Sequence, residues 1–251
     1  MATSETVPGA RPVDKLSIVI PAFNEAARIR DSLHRIAEYL KSVPFDTEIL
    51  VIDDGSTDDT AAIVERLEIR GLRLLRNGTN RGKGYSVRDG VLAATGDYIL
   101  FTDADLSAPI EEMDKLLKAA MKENADAVVG SRGLDSRFID THQSSIRETG
   151  GRFFNQMVQI FLGLKIQDTQ CGFKLFKRAS VQWAFQKLTT DGFGFDPEVL
   201  FIMSRQGLKI VEVPVRWSHV EGSKIRFLRD GTRMFLDLLR IRWNSSMGRY
   251  S

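Results

Sequence analysis

The sequence predicts an α/β fold with a single, mostly parallel, doubly wound sheet, and three observations carry that prediction. Short β-branched runs alternate with stretches of helical period at βαβ spacing through the first half of the chain. Those runs are apolar throughout rather than alternating, as strands covered on both faces require. Three of them close on acids: Glu25 after the first, Asp53-Asp54 after the second, Asp103 and Asp105 after the fourth. In an open α/β sheet, ligands sit beyond the carboxyl ends of the strands, so these acids fall on one edge where a ligand would lie.

Taken in order, residues 1–14 read as a disordered leader. Leu16–Ile20 is the first and central strand, ending at Pro21. Ile29, Leu33, Ile36, Ala37 and Leu40 keep the 3.6-residue period of a helix. Ile49–Ile52 is the second strand, after which Thr57 or Asp58 caps a helix to about Leu67. Leu72–Leu75 forms a third strand, and the glycine-rich turn Asn77–Gly84 leads into a helix ending near Thr95-Gly96. Tyr98–Thr102 is the fourth strand; a turn at Pro109 and a helix rich in Glu and Lys follow it, and Ala127–Gly130 is the fifth.

From Ser131 the pattern changes to an α+β extension. A polar loop to His142 precedes a helix over about Ile146–Leu162, interrupted by Gly150-Gly151. Gly172–Phe176 is a strand, Lys177–Leu188 a helix, and Pro197–Gln206 a helix with proline in its first turn. Leu208–Val213 is an edge strand whose ladder ends at Pro214. Ile225–Trp243 is a basic amphipathic helix, with Arg226, Arg229, Arg233 and Arg240 on one face and Leu228, Phe235 and Leu239 opposite. The organisation expected is thus a leader, a domain over 15–220 (nucleotide-binding half 15–130, acceptor half 131–220) and a C-terminal helix in 221–251.

Composition bounds the rest. At 251 residues and 43% hydrophobic content the chain buries one substantial core. Lys224 onward carries a net +5, which leaves the remainder near −3 out of a total of +2. No nucleic-acid partner is expected, and the oligomeric state is open. The one cysteine, Cys171, excludes an internal disulfide and fits a reducing, cytoplasmic compartment. No window approaches the roughly 18 uninterrupted apolar residues of a membrane span, which predicts a soluble or peripheral protein. His34, His142 and His219 have no ligand spacing.

The chemistry centres on Asp103-Ala104-Asp105. Two acids so close repel one another unless a cation lies beside them. One reading is Mg²⁺ or Mn²⁺ shared with the phosphates of a nucleotide; the other makes Asp105 or Ser107 a helix cap with Asp103 solvated. The acids on the other strand ends and the glycine-rich loop favour a nucleoside diphosphate, with Asp53 or Glu25 receiving base or ribose hydrogen bonds. Arg81 and Lys83, ahead of a helix N-terminus, supply charge to the phosphates. No GxGxxG follows the first strand and no Walker A spacing is present, so neither a dinucleotide-binding nor a P-loop protein is indicated.

Four tracts in this order, Ile18–Glu25 (IVIPAFNE), Val51–Ser56 (VIDDGS), Asn80–Gly84 (NRGKG) and Asp103–Asp105 (DAD), resemble glycosyltransferase family 2, of GT-A fold, over residues 15–220. Gly130-Ser131-Arg132, Asp168–Lys174 (DTQCGFK) and Phe195–Glu198 (FDPE) are similar to the branch that transfers sugar to a polyprenyl phosphate. Within it, the tract from Asp168 looks closer to dolichyl-phosphate β-glucosyltransferases than to the mannosyltransferases. The resemblance implies a nucleotide-sugar donor, inversion at the anomeric carbon and a metal on Asp103 and Asp105. It places Pro21, Ala22, Glu25, Asp53 and Asp54 at the donor with Arg81 and Lys83, and Arg132 and Arg147 at phosphates of donor or acceptor. Ser107 departs from the mannosyltransferase pattern, where a glutamine often adds a metal ligand, and the membrane helices many members carry are not seen here.

The implied reaction is transfer of a hexose, glucose from UDP-glucose before mannose from GDP-mannose, to a polyprenyl or dolichyl phosphate. An anionic phosphate nucleophile needs no general base; a hydroxyl acceptor would need one, with Asp168 first and Asp196 second. A soluble-glycan or small-molecule acceptor is therefore the alternative reading, and a non-catalytic nucleotide-sugar or membrane-binding module is a third. Structural readings stand beside these: Asp168 as a turn cap, Arg147 as a solvated helix residue, Cys171 as packing. The C-terminal helix either packs with its arginines in water or lies on an anionic membrane.

Overall fold

The computed structural model describes residues 13–132, 134, 139–141, 145–219 and 227–250. Most of the expected leader therefore lies outside the described residues, as does Arg226. Ahead of the first strand, Val13 is buried and the Asp14 backbone N–H donates to Asp97 Oδ2 at 3.0 Å.

In chain order the elements are β1 (Lys15–Ala22), α1 (Ile29–Leu40), β2 (Asp46–Asp53), α2 (Thr60–Glu65), β3 (Leu72–Arg76), α3 (Lys83–Ala93) and β4 (Tyr98–Thr102). They continue as α4 (Met113–Glu123), β5 (Ala127–Ser131), β6 (Ile139–Thr141), α5 (Ser145–Leu162), β7 (Phe173–Lys177) and α6 (Arg178–Gln186). The last are α7 (Phe195–Arg205), β8 (Ile210–Pro214), β9 (Trp217–Ser218) and α8 (Phe227–Ser246). Seven strands form one sheet in the order β3-β2-β1-β4-β7-β5-β8, and β6 and β9 make a separate two-stranded ribbon. The doubly wound α/β expectation holds, with β8 at the edge, though the middle of the seven strands is β4 and β1 lies beside it, between β2 and β4.

The sheet separates two apolar layers. On β4, Ile99 and Phe101 face the layer built with α3, α5, α6, α7 and α8, and Leu100 faces the layer built with α1 and α4. The predicted periodicity of α1 is met by Ile29, Leu33 and Ile36, all fully buried. Burying side chains of this size from water stabilises by about 1.5–3 kcal/mol each, which is why period and burial coincide.

Three further features depart from the sequence reading. α2 runs only from Thr60 to Glu65, with Asp59 at its N-cap position and no side-chain cap there, while Asp58, one of the two expected caps, takes the Thr60 N–H on Oδ1 at 3.0 Å. β7 runs antiparallel to both neighbours, β4 and β5, in a sheet otherwise parallel. On α8 the side turned to the core carries Met234, Leu238 and Ile241, not the predicted Phe235 and Leu239, and the Leu228 side chain lies outside the described residues. Leu239 is 41% exposed, and Phe235 packs edge-on against Phe161 of α5, with ring centroids 5.7 Å apart. α8 is apolar on more than one side, so helical period could not say which side is inward.

Candidate active site

The antiparallel strand decides where the site forms. Because β7 enters at the end where β4 finishes, Thr102 pairs with Phe173 and the Asp103 N–H donates to Gly172 O at 3.2 Å. The Asp168–Gly172 segment thereby lies against the aspartates of the fourth strand. Gly172 has no alternative: a Cβ there would sit 1.9 Å from Asp103 Oδ2.

On the expected donor side, Ala22 and Asp53 end β1 and β2 in register, with Pro21 opposite Ile52. Asp53 is buried and its Oδ1 receives the Ser56 N–H at 3.3 Å. The Glu25 N–H donates to Thr60 Oγ1 at 2.7 Å and its carboxylate pairs with Arg28 Nε at 2.9 Å. Asp54 faces the glycine-rich loop. Its Oδ1 takes the Asn77 side-chain amide and the Arg81 N–H, and its Oδ2 takes the Gly82 N–H, each at 2.9 Å. Asp54 therefore shapes the loop that presents Arg81 and Lys83. Arg81 donates to Tyr85 Oη at 2.6 Å and lies over that ring.

Lys83 opens α3 and reaches across to Asp103, with Nζ 2.6 Å from Oδ1 and the ammonium 5.3 Å from the Phe101 ring centroid. Burial alone would lower its pKa, but the carboxylates of Asp103, Asp196 and Asp105 outweigh it and hold the ammonium charged. Asp105 Oδ1 accepts the Ser107 N–H at 3.0 Å, and Leu106 between them sits at φ +48°, a left-handed conformation rare for a leucine. Strain of that kind persists where the surroundings over-determine it, often at ligand clamps.

Arg132 and Asp168 meet on the other side of Gly172. Asp168 Oδ2 receives the Arg132 N–H at 3.0 Å and Nε at 2.7 Å, and Oδ1 receives Nη2 at 2.8 Å. Burial works to raise the Asp168 pKa, but the guanidinium and its hydrogen bonds outweigh that and hold the carboxyl below its ordinary value. Asp196, the other candidate base, is buried against Lys174 Nζ at 2.5 Å. Its pKa is raised by burial, against which Lys174 and Lys83 act. The Arg147 side chain lies outside the described residues; its backbone belongs to α5.

Two groups escaped the sequence reading. Lys174, on β7, is fully buried and also donates to Cys171 O at 2.6 Å. Glu198, inside the apolar α7, accepts from Thr189 N, Thr189 Oγ1, Thr190 N and Tyr250 Oη at 3.0, 2.7, 2.8 and 2.5 Å. It fixes the turn whose Asp191 carbonyl accepts the Tyr85 N–H at 3.1 Å and lies against Gly82. A charged residue amid an apolar run was the available signal in both. Cys171 is buried, with its thiol pushed up to about 12 by burial, as expected of a packing residue.

Among the described residues no group of three or more His, Cys, Asp or Glu side chains is arranged to hold a metal. Asp103 and Asp105 nonetheless suit Mg²⁺ or Mn²⁺, which bind through one or two carboxylates and complete their shell with substrate phosphates and water. The Asp103 carboxylate already holds a cationic nitrogen at 2.6 Å, so its position accepts positive charge.

The sequence profile described as Glycosyl transferase family 2 matches residues 17–183, a span that includes the strand-end acids, the loop, Arg132 and Asp168. The chain belongs to glycosyltransferase family 2. As a family 2 transferase it is 33% identical to a dolichyl-phosphate beta-glucosyltransferase of Dictyostelium discoideum, over 96% of this chain and 79% of that one. It is 35% identical to the protein of that name from Saccharomyces cerevisiae, over 94% and 76%. Glucosyl-3-phosphoglycerate synthase of Mycobacterium tuberculosis, solved with Mn²⁺, UDP-glucose and glycerol 3-phosphate, shares the GT-A fold at a TM-score of 0.66 and 22% identity. That match covers 91% of this chain and 80% of the solved one. The family 2 transferase contains, among its described residues, no helix long and apolar enough to cross a membrane.

Proposed function

We propose that this transferase moves glucose from UDP-glucose, with inversion and with Mg²⁺ or Mn²⁺, onto a polyprenyl phosphate of the dolichyl class. The observation that carries the acceptor assignment is the Arg132–Asp168 pair. Both Asp168 oxygens receive Arg132 hydrogen bonds, and the carboxyl is held below its ordinary pKa. A carboxylate so engaged is a poor proton acceptor, and Asp196 is buried against Lys174. An acceptor that arrives anionic needs neither. The names of the two curated relatives support the same acceptor and sugar.

In this mechanism the Asp54-held loop presents Arg81 and Lys83 to the donor diphosphate, while Asp53 and Glu25 lie at the nucleoside. Arg132, aligned by Asp168, draws the acceptor phosphate toward the anomeric carbon against the repulsion of the donor phosphates; its planar fork suits that task better than a lysine. A phosphate oxygen forms the new bond to the anomeric carbon as the bond to the β-phosphate oxygen breaks, yielding UDP and the glucosyl phospholipid. A cation held by Asp103 and Asp105 would stabilise the charge growing on UDP, a contribution of several kcal/mol.

The lipid would come from a membrane surface. The outer side of α8 carries Leu236, Leu239 and Trp243, at 56, 41 and 67% exposure; Met247 just past its end is 63% exposed, and Ile160 of α5 75%. Arg205 and Arg242 line a groove of about 440 Å³ with Leu239 and Trp243. An exposed apolar stripe flanked by arginines favours an anionic interface. The test is transfer of labelled glucose from UDP-glucose to a polyprenyl phosphate, compared with the matching polyprenol and with soluble sugars. Labelling of the phosphate alone is expected; preferential labelling of a hydroxyl acceptor would overturn the assignment.

A further inference from the structure

Lys83 is confined in a way that leaves its side chain one freedom. Gly82 sits at φ +107°, where an added Cβ would lie 2.4 Å from Asp191 O, and a Cβ on Gly84 would lie 2.7 Å from Phe195 Cβ. The backbone around Lys83 is thus pressed onto the turn after α6 and cannot give way. Its ammonium is bound to Asp103 Oδ1, while the other oxygen of that carboxylate lies beside Gly172, where an added Cβ would sit 1.9 Å from it. The Asp103 carboxylate sits on a short side chain, whereas the Lys83 side chain is long, unbranched and 22% exposed.

A divalent cation on Asp103 would bring like charges within contact distance of that ammonium, which is unfavourable in a partly buried site. We propose that Lys83 and the divalent cation compete for Asp103, so that Lys83 exchanges between the aspartate and the donor diphosphate and couples cation binding to donor binding. This rests on the reading of the site as a cation and nucleotide-sugar site. Lys83 is then a positioning residue for Asp103 before the donor arrives and a ligand of the diphosphate afterwards. Because linkage is reciprocal, whatever UDP gains from the cation the cation gains from UDP.

The test is Mn²⁺ binding to the full chain, read from the loss of the free-ion paramagnetic resonance signal, first without nucleotide and then with UDP. Removing the competing ammonium in Lys83→Met is expected to tighten nucleotide-free Mn²⁺ binding by about tenfold, as loss of one adjacent like charge implies. The same variant is expected to bind UDP more weakly, at saturating Mn²⁺, by about tenfold for the loss of one charge-assisted contact. Lys83→Arg retains wild-type Mn²⁺ affinity, and Lys83→Gln, neutral but polar, repeats the methionine result should that variant fold poorly. Equal Mn²⁺ affinity in wild type and both neutral variants overturns the exchange while leaving the metal site standing. If Mn²⁺ binds none of them even with UDP, the reading of the site fails and the exchange with it.

Discussion

Two carboxylate–cation pairs flank the Asp168–Gly172 segment, and they are built to opposite ends. Asp103–Lys83 is a single contact of 2.6 Å between side chains 32 and 22% exposed. Asp168–Arg132 is a two-pronged grip that also takes the arginine's backbone N–H, with the aspartate only 4% exposed. The first can open to admit another cation. The second cannot open without leaving a charge buried, so it orients rather than exchanges. On the function proposed above, a transferase that must release a diphosphate each turnover, while keeping Arg132 aimed, has use for one pair of each kind.

The sharpest way to separate them is to remove each acid. Asp103→Ala, and likewise Asp105→Ala, is expected to lower transfer by about a thousandfold or more through lost leaving-group stabilisation. Unfolding free energy in urea should change by less than about 1 kcal/mol, since a partly exposed ion pair contributes little. Asp168→Ala should divide its effect the other way, costing about 3 kcal/mol of stability because it removes the acceptor of three Arg132 hydrogen bonds, one of them from the backbone N–H. Retention of full stability in Asp168→Ala would break the comparison.

The smallest expected effects are in pH dependence. Asp168, with its folded pKa lowered, contributes stability that is fully present above the unfolded carboxyl value near 4 and is lost as pH falls through the lower folded value. Asp237, on α8, supplies the opposite sign. Burial and then Glu198 push its carboxyl up to about 6, so its stabilising influence is full below about 4 and fades as pH rises through 6. Melting temperatures of Asp237→Asn measured from pH 4 to 8 should lose that decline and exceed wild type at the upper end. A variant curve parallel to wild type would remove Asp237 from the account.

Much of the placement of the candidate donor residues could be read from the chain. Pro21, Glu25, Asp53, Asp54 and the loop from Asn77 to Gly84 lie at the ends of strands whose burial is written into their apolar runs, and parallel βαβ connections leave few ways to arrange them. The individual duty of Asp54, which shapes the loop, depended on contacts 23 to 28 residues away and could not be read locally. The acceptor side was legible as residues but not as geometry. Its chemistry makes Asp168 a candidate base, and its engagement by Arg132, 36 residues distant, which donates to both its oxygens, is a matter of tertiary structure.

The chain by itself determined the α/β class, the family and the edge on which the acids gather, because apolar period, strand-end chemistry and short motifs are local properties. Only the tertiary structure decided that β7 enters antiparallel beside β4, that Gly172 closes on Asp103, that Lys174 and Glu198 are buried, and which side of α8 faces inward. Those outcomes follow from packing between segments far apart in sequence, where the direction of a strand and the partner of a charge are set by the space the rest of the fold leaves.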